Sequence, residues 1–145
     1  MASKVHQPPT REPVIRTAPM PADVNGNGDI FGGWVLSQMD VAGGIVAARR
    51  AQGRVATVAI SDMTFHEPIK VGDVVTIYGD VTRVGTTSVT VKLETLVQRR
   101  LDPRPIKVTQ GNFVYVAIDK TGRPRTVPSE SVVKPSKSKG RTGLK

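Results

Sequence analysis

The sequence predicts an α+β fold in which one long central helix is wrapped by a curved antiparallel sheet. The stretch from Gly32 to about Gln52 is apolar around most of its circumference, as expected of a buried helix. Four segments rich in β-branched residues follow it, separated by turn signals such as EPIKVGD, GT and DKTG, with no second helical pattern between them. Strands connected without helices pair in antiparallel fashion, and a helix packed on such a sheet gives an α+β architecture.

The individual elements follow from local patterns. A short strand is predicted at residues 14–18, before a loop of Gly, Asn and Asp at residues 19–31. The helix should end near Arg49 and Arg50, whose positive charges suit its C-terminal dipole, with Gly53 as the stop. The remaining strands are predicted at residues 54–65, 73–84, 87–100 and 106–118, with RLDPRP as the turn between the last two.

Composition predicts one domain in the cytoplasm. A chain of 145 residues is large enough for one core, here residues 14–133, preceded by a flexible proline-rich arm at residues 1–13. There is no apolar run near the ~18 residues of a membrane span, so no membrane partner is expected, and no secretory signal is visible. Cysteine is absent, which excludes disulfides and thiolate metal sites.

The positive charge does not by itself predict a nucleic-acid partner. The net charge is +9, and residues 134–145 hold five basic residues and no acidic one. A basic end rich in Ser, Gly and Pro without aromatic residues is typical of a disordered, solvated tail. A dedicated nucleic-acid binder would show aromatic stacking positions or a basic helix within the fold, and neither is visible.

Four segments, in this order and spacing, carry a resemblance to a known family. They are MPADVNGNGDIFGGWVLSQMD, GRVATVAISDMTFHEPIKVGDVV, VGTTSV and FVYVAIDKTGRPRTVP. Together they resemble the hotdog-fold acyl-CoA thioesterases, in particular the bacterial acyl-CoA hydrolase branch, over residues 19–128. The resemblance implies hydrolysis of acyl-CoA to fatty acid and CoA without a metal or other cofactor. It also implies a homodimer with the two helices side by side under a continuous sheet, commonly built into a trimer of dimers.

Asp40 is the main catalytic candidate. An Asp between Met39 and Val41 in an apolar helix needs a reason, because an unpaired buried charge is costly. It could make an inter-helix hydrogen bond or form an exposed stripe with Ser37, or it could act as general base or nucleophile. In the family this position carries the catalytic acidic residue, which favours the last interpretation.

Asn25, Gly32 and Gly33 are the other catalytic candidates. Backbone N–H groups at the start of a helix suit the negative charge that develops on a thioester carbonyl oxygen, and glycine allows close approach. Asn25 could donate its side-chain amide to that carbonyl or hold the attacking water, or it could form an Asx turn. The family pattern favours the catalytic role for all three.

Helix geometry predicts a shared active site. Asp40 lies eight residues after Gly32, about 12 Å along the helix axis at ~1.5 Å per residue. Groups so far apart cannot easily flank one carbonyl carbon, unless two antiparallel helices place Asp40 of one subunit opposite Gly32 of the other. The prediction is therefore two composite sites per dimer, which agrees with the family's shared sites.

The grip on CoA is predicted around the turn VGTTSV. Hydroxyl and N–H groups in such a turn suit phosphate or pantetheine, and nearby arginines could meet phosphates. An ordinary hairpin would also explain the turn, but the family uses this region near the nucleotide. The predicted binding residues are Arg54, Arg83, Gly85, Thr86, Thr87 and Ser88.

Two other functions compete with the thioesterase. A hotdog dehydratase acting on hydroxyacyl thioesters would need a His paired with an acid, and the segment from Asn25 to Asp40 contains no His. His66, at a predicted strand end, is expected to be exposed rather than catalytic. A non-catalytic acyl-CoA sensor would normally carry a DNA-binding domain, for which the N-terminal arm is too short, and a retained Asp40 argues against it.

Overall fold

The computed structural model describes residues 12–130, which form one helix packed on one antiparallel sheet. The predicted arm and basic tail therefore lie outside the described residues, apart from Glu12 and Pro13. The elements in chain order are β1 (Ile15–Thr17), a 3₁₀ helix (Pro21–Asp23), α1 (Gly32–Ala51), β2 (Val55–Phe65), β3 (Val74–Val84), β4 (Ser88–Arg99) and β5 (Asp102–Ala117). The predicted α+β arrangement is confirmed.

The sheet has the strand order β1-β3-β4-β5-β2, with every neighbouring pair antiparallel. Its central strands β4 and β5 supply many of the fully buried side chains, such as Val91, Leu93 and Phe113, which pack with Met39 of α1. The core therefore lies between the helix and one face of the sheet.

The sheet packs on one side of the helix, as expected for a helix wrapped by a curved sheet. Val35, Met39 and Ala47 are buried against the sheet, whereas Val41 on another side is 56% exposed. The single sheet of one chain cannot reach around the whole helix. Val41 of α1 is therefore left uncovered.

The helix end also differs slightly from the prediction. Gln52, rather than Gly53, adopts the left-handed conformation at the end of α1, with φ of 54°. Gly53 has a different use: a Cβ there would lie 2.5 Å from Nη2 of Arg125. That guanidinium donates a 2.8 Å hydrogen bond to the carbonyl of Ala51, so it caps the helix from across the fold.

Strand β5 starts earlier than predicted. The segment RLDPRP was expected to be a turn, but β5 begins at Asp102 and includes Pro103 and Pro105. The prolines are tolerated because β2 pairs with β5 only from Thr109 onward, so this part of β5 is an edge. The side-chain amide of Gln98 on β4 also donates to the carbonyl of Pro103, at 2.8 Å.

Strand β2 forms one edge of the sheet and is largely exposed. It pairs with β5 on one side, and among residues 12–130 no strand pairs with its other side. An irregularity between Ser61 and Thr64 bends the strand, and Asp62 there has φ of 57°. The Asp62 carboxylate accepts a 2.9 Å hydrogen bond from the amide of Asn112, which holds the bulge against β5.

Within residues 12–130, no helix combines the length and the apolar character needed to cross a membrane.

Candidate active site

Asn25 organises the loop that precedes α1. Its side-chain oxygen accepts hydrogen bonds from the N–H groups of Asn27 (2.9 Å) and Asp29 (3.1 Å). The Asx-turn interpretation is therefore correct for the oxygen atom. The side-chain nitrogen, in contrast, makes no hydrogen bond with any residue in the range 12–130, so it remains available as a donor.

The first turn of α1 presents two unused donors. The N–H of Trp34 donates to the carbonyl of Phe31 at 3.0 Å, whereas those of Gly32 and Gly33 donate to no group among the described residues. No side chain caps this end of the helix. A Cβ at Gly33 would meet nothing within 4 Å, so the backbone is open to an approaching ligand. These are the properties required of an oxyanion-binding helix end.

A pocket of about 310 Å³ opens beside these donors. Its wall is mostly apolar, and it joins the loop, the start of α1, the end of β2 and the segment that follows β2. The lining residues are Asn25, Asp29, Ile30, Gly32, Val35, Phe65, His66, Glu67, Pro68, Ile69 and Val108. The structure thus places Asn25 and Gly32 in the wall of the same pocket.

His66 lies closer to the predicted site than the sequence indicated. It is exposed, as expected, and its backbone N–H donates to the carbonyl of Val108 at 2.7 Å. Yet it lines the same pocket as Asn25 and Gly32. The inference that no His lies near the site holds along the chain but not in space, because the end of β2 folds back over the start of α1.

Asp40 is held at a different place by two hydroxyl groups. Thr57 Oγ1 on β2 donates to its Oδ1 at 2.6 Å, and the Tyr115 hydroxyl on β5 lies 3.0 Å from the same oxygen. Burial raises the pKa of Tyr115 well above its usual value, and the neighbouring Asp40 raises it further. The hydroxyl therefore stays protonated and serves as a donor. Asp40 is neither an unpaired buried charge nor part of an exposed stripe with Ser37.

Within one chain Asp40 does not belong to the pocket of Asn25 and Gly32, since it is not among the lining residues. Its partner Thr57 lies near the start of β2, and Phe65 of the pocket lies at the end of that strand. Eight residues of strand separate them, roughly 25 Å at ~3.3 Å per residue. Asp40 and the pocket are therefore separated along the sheet as well as along the helix.

The turn between β3 and β4 is braced by neighbouring backbone. The N–H of Gly85 donates to the carbonyl of Ser88 at 2.8 Å, so this amide is used within the turn. The carbonyls of Thr86 and Thr87 accept from the N–H groups of Val127 and Ala117, each at 2.8 Å. Among the described residues, the amides of Thr86 and Thr87 donate to no group, which leaves them for a ligand.

The predicted arginines lie at the same end of the sheet as this turn. Arg54 directly precedes β2, and its guanidinium lies 3.3 Å from the carbonyl of Asp119. Arg83, near the end of β3, is exposed. Ser88 pairs with Val116 one strand away from Arg54, so these candidates share the sheet end at which Asp40 lies.

Within residues 12–130, no cluster of three or more His, Asp or Glu side chains is placed to hold a metal ion.

Comparison of the sequence with known proteins shows which family the chain belongs to. A sequence model described as the thioesterase superfamily matches residues 27–99. The acyl-CoA thioester hydrolase YciA of Escherichia coli strain K12 is 48% identical over 132 residues, covering 88% of this chain and 99% of that protein. This chain belongs to the thioesterase superfamily.

Two solved structures extend the likeness from the superfamily's sequence to its fold. The hexameric thioesterase y2039 from Yersinia pestis is 49% identical with a TM-score of 0.79, covering 83% of this chain and 98% of that chain. Cj0915 of Campylobacter jejuni, a hexameric hotdog fold thioesterase, is 36% identical with a TM-score of 0.77, covering 81% and 91%. The hotdog fold predicted from the four sequence segments is confirmed.

Three residues around Asp40 in this candidate site were missed by sequence reasoning. Thr57 and Tyr115 are ordinary strand residues by pattern, and they meet Asp40 across 17 and 75 residues of chain. Gly43 matters because a Cβ there would lie 2.8 Å from Cζ of Tyr115. The sequence held one indication of these contacts. Tyr115 occupies a position of β5 that faces the core, and a buried hydroxyl needs a hydrogen-bond partner.

Proposed function

We propose that this protein hydrolyses acyl-CoA thioesters, giving the free fatty acid and CoA. The observation that carries the proposal is the uncapped start of α1, where Gly32 and Gly33 have unused N–H groups and Gly32 lines a mostly apolar pocket. A thioester carbonyl seated there would place its developing negative charge on those donors. The names of the similar proteins, acyl-CoA thioester hydrolase and thioesterase, support the same activity.

In this proposal each site residue has one role. Gly32, Gly33 and the amide of Asn25 bind the carbonyl oxygen. Asp40 either takes a proton from the attacking water or attacks the carbonyl itself to form a transient anhydride. Both routes break the acyl–sulfur bond and consume one water in total, which leaves the acid and the CoA thiol.

We further propose that the site is shared by two subunits of a homodimer. The free edge of β2 is the natural contact, because an unpaired edge strand readily takes up another strand. If two copies of β2 pair antiparallel about their midpoint, Ile60, then Thr57, three residues before the midpoint, lies opposite Met63 of the partner subunit, three residues after it. Asp40, bonded to Thr57, then approaches the pocket end of the partner's β2.

The exposed apolar surface supports this contact. Val58 is 57% exposed and Ile60 39% exposed on β2, and Val41 on α1 is 56% exposed. Burying apolar side chains of this size in a dimer would stabilise it by roughly 25 cal/mol per Å². The similar proteins y2039 and Cj0915 are hexameric, which fits a trimer of such dimers.

CoA binding is assigned to the opposite end of the sheet from the pocket. Arg54 and Arg83 would meet phosphate groups, and the turn Gly85–Ser88 would contact the phosphate or pantetheine through the amides of Thr86 and Thr87. This end lies beside Asp40, so in a shared site CoA would extend from the subunit that supplies the acid.

The test is a thiol-release assay with acyl-CoAs of different chain lengths. Wild-type protein should release CoA from at least one length class, and Asp40→Asn should lose nearly all turnover while still binding CoA. Asparagine keeps the shape of the side chain and an oxygen for Thr57 and Tyr115, but it can neither attack nor accept a proton. Wild-type turnover in Asp40→Asn would reject the assigned role of Asp40.

A second candidate, dehydration of hydroxyacyl thioesters, is favoured by one observation. His66 and Glu67 both line the pocket that contains Asn25 and Gly32, and a His paired with an acid is what a dehydratase needs. The same enzyme preparation should be offered a 3-hydroxyacyl-CoA while the absorbance of the enoyl product is followed. Enoyl formation that disappears in His66→Ala, without thiol release, would establish the dehydratase instead.

A further inference from the structure

The two oxygens of the Asp40 carboxylate are in different environments. Both hydroxyl contacts, from Thr57 at 2.6 Å and from Tyr115 at 3.0 Å, reach Oδ1. No hydrogen bond from residues 12–130 reaches Oδ2. Oδ1 accepts the proton of Thr57 and shares the single phenol proton of Tyr115 with the backbone carbonyl of Asp40, whereas Oδ2 keeps its lone pairs for chemistry.

Tyr115 is both a core residue and a hydrogen-bond partner of Asp40. Its side chain is 1% exposed, and it lies on β5 directly opposite Thr57 of β2. Its hydroxyl lies near two acceptors of Asp40, the carboxylate Oδ1 and the backbone carbonyl at 2.9 Å, and also near the hydroxyl of Thr57. The two donors to Asp40 are thus cross-strand neighbours, so the sheet register fixes the spacing between them.

The helix has a matching gap for this hydroxyl. Gly43 faces Tyr115, and any side chain there would collide with the ring and the hydroxyl. Glycine in a helix interior is destabilising relative to alanine. Here it admits the hydroxyl to the turn of α1 that carries Asp40.

We infer that Tyr115 is a positioning residue which, with Thr57, immobilises one carboxylate oxygen of Asp40 and leaves Oδ2 as the reacting atom. The inference rests on the proposed function. If water attacks, Oδ2 takes its proton; if Asp40 attacks, Oδ2 forms the bond to the acyl carbon as the sulfur leaves. Without Tyr115 the carboxylate rotates more freely, and its reactive orientation is populated for less of the time.

The experiment compares Tyr115→Phe with Tyr78→Phe in the thiol-release assay. Each change removes one hydroxyl from a buried tyrosine, but Tyr78 lines a cavity with Arg16 and Gln98 and does not contact Asp40. Loss of a hydrogen bond to a charged group corresponds to a fall of about 10-fold in kcat. Tyr115→Phe should show this fall with unchanged KM, and Tyr78→Phe should match wild type.

A second variant keeps the inference testable if Tyr115→Phe does not fold. Thr57 is exposed, so Thr57→Val should fold normally, and it removes the other donor to Oδ1. It should also lower kcat with unchanged KM. Wild-type kcat in Tyr115→Phe, an equal loss in Tyr78→Phe, or, where Tyr115→Phe does not fold, wild-type kcat in Thr57→Val would overturn the inference.

These outcomes differ from a failure of the proposed function. A wild-type enzyme that releases no thiol from any acyl-CoA rejects the function. An active wild type with an inactive Asp40→Asn and a fully active Tyr115→Phe rejects only the positioning role.

Discussion

Asn25 serves the loop and the proposed site with different atoms, which makes its two roles separable by substitution. Its oxygen accepts from the amides of Asn27 and Asp29, and its nitrogen is the proposed donor to the thioester carbonyl. Asn25→Asp keeps the acceptor and removes the donor. It should therefore lower kcat by about 10²-fold, as other losses of a single oxyanion donor do, without lowering the melting temperature.

The control for that substitution is Asn25→Ala, which removes both atoms and should lower the melting temperature as well as kcat. A loss smaller than about threefold in kcat for Asn25→Asp would return the residue to a purely structural role in the loop.

Tyr115 gives a second prediction at the level of one residue, now about pH. The raised pKa means that the folded protein keeps the phenol proton above pH 10.0, the ordinary value, while the unfolded chain loses it. The unfolded state then binds fewer protons, so this contribution to stability is complete below pH 10.0 and falls as the pH rises beyond it. The melting temperature of wild type should fall more steeply above that pH than that of Tyr115→Phe.

Absorbance of the phenolate provides a direct check of the same prediction. Tyr115 should resist ionisation until alkaline unfolding begins, so the absorbance difference between wild type and Tyr115→Phe should develop only with unfolding. A difference that develops near pH 10.0, the ordinary value, would contradict the prediction.

Among the elements, β2 carries the strongest prediction because it joins the site to the proposed dimer. Ile60 is 39% exposed at the midpoint of this edge strand, and a charge there should oppose burial against a second copy. Ile60→Lys should therefore elute as a smaller species in size-exclusion chromatography and lose thioesterase activity. Val74→Lys is the matched control, since Val74 is 37% exposed but lies on β3.

The dependence on concentration separates an assembly defect from local damage. At high protein concentration Ile60→Lys should regain some dimer and some activity in parallel. A fully active monomer would refute the shared site.

The helix and strands were predictable because each depends on a local pattern, whereas parts of the site depend on contacts between distant segments. The glycines before α1 and the isolated Asp40 stand out in the sequence alone. The strand positions of Pro103 and Pro105 could not be predicted, because they depend on β2 ending short of that part of β5. The bonds from Thr57 and Tyr115 to Asp40 depend on the register of two strands against one helix.

For the whole molecule, the main feature is that one chain carries two incomplete halves of the proposed site. The pocket, Asn25 and the open amides lie at one end of β2, and Asp40 lies near the other with Thr57. Neither half contains both Asp40 and the proposed oxyanion donors. A two-fold axis through β2 would bring each half against its complement and create two equal sites.

Complementation between two inactive variants tests this arrangement. Asn25→Asp and Asp40→Asn subunits are unfolded, mixed and refolded together. In a mixed dimer one site carries both changes, and the other combines an unaltered Asn25 with an unaltered Asp40. Random assembly makes about half of the dimers mixed, each with one intact site of two, so about a quarter of wild-type activity should return. If one subunit supplied both groups, every site would carry one of the two changes and mixing would restore nothing.

Native mass spectrometry of the mixture must first show that mixed dimers have formed. A verified mixture without recovery would exclude the shared site while leaving thioester hydrolysis itself intact.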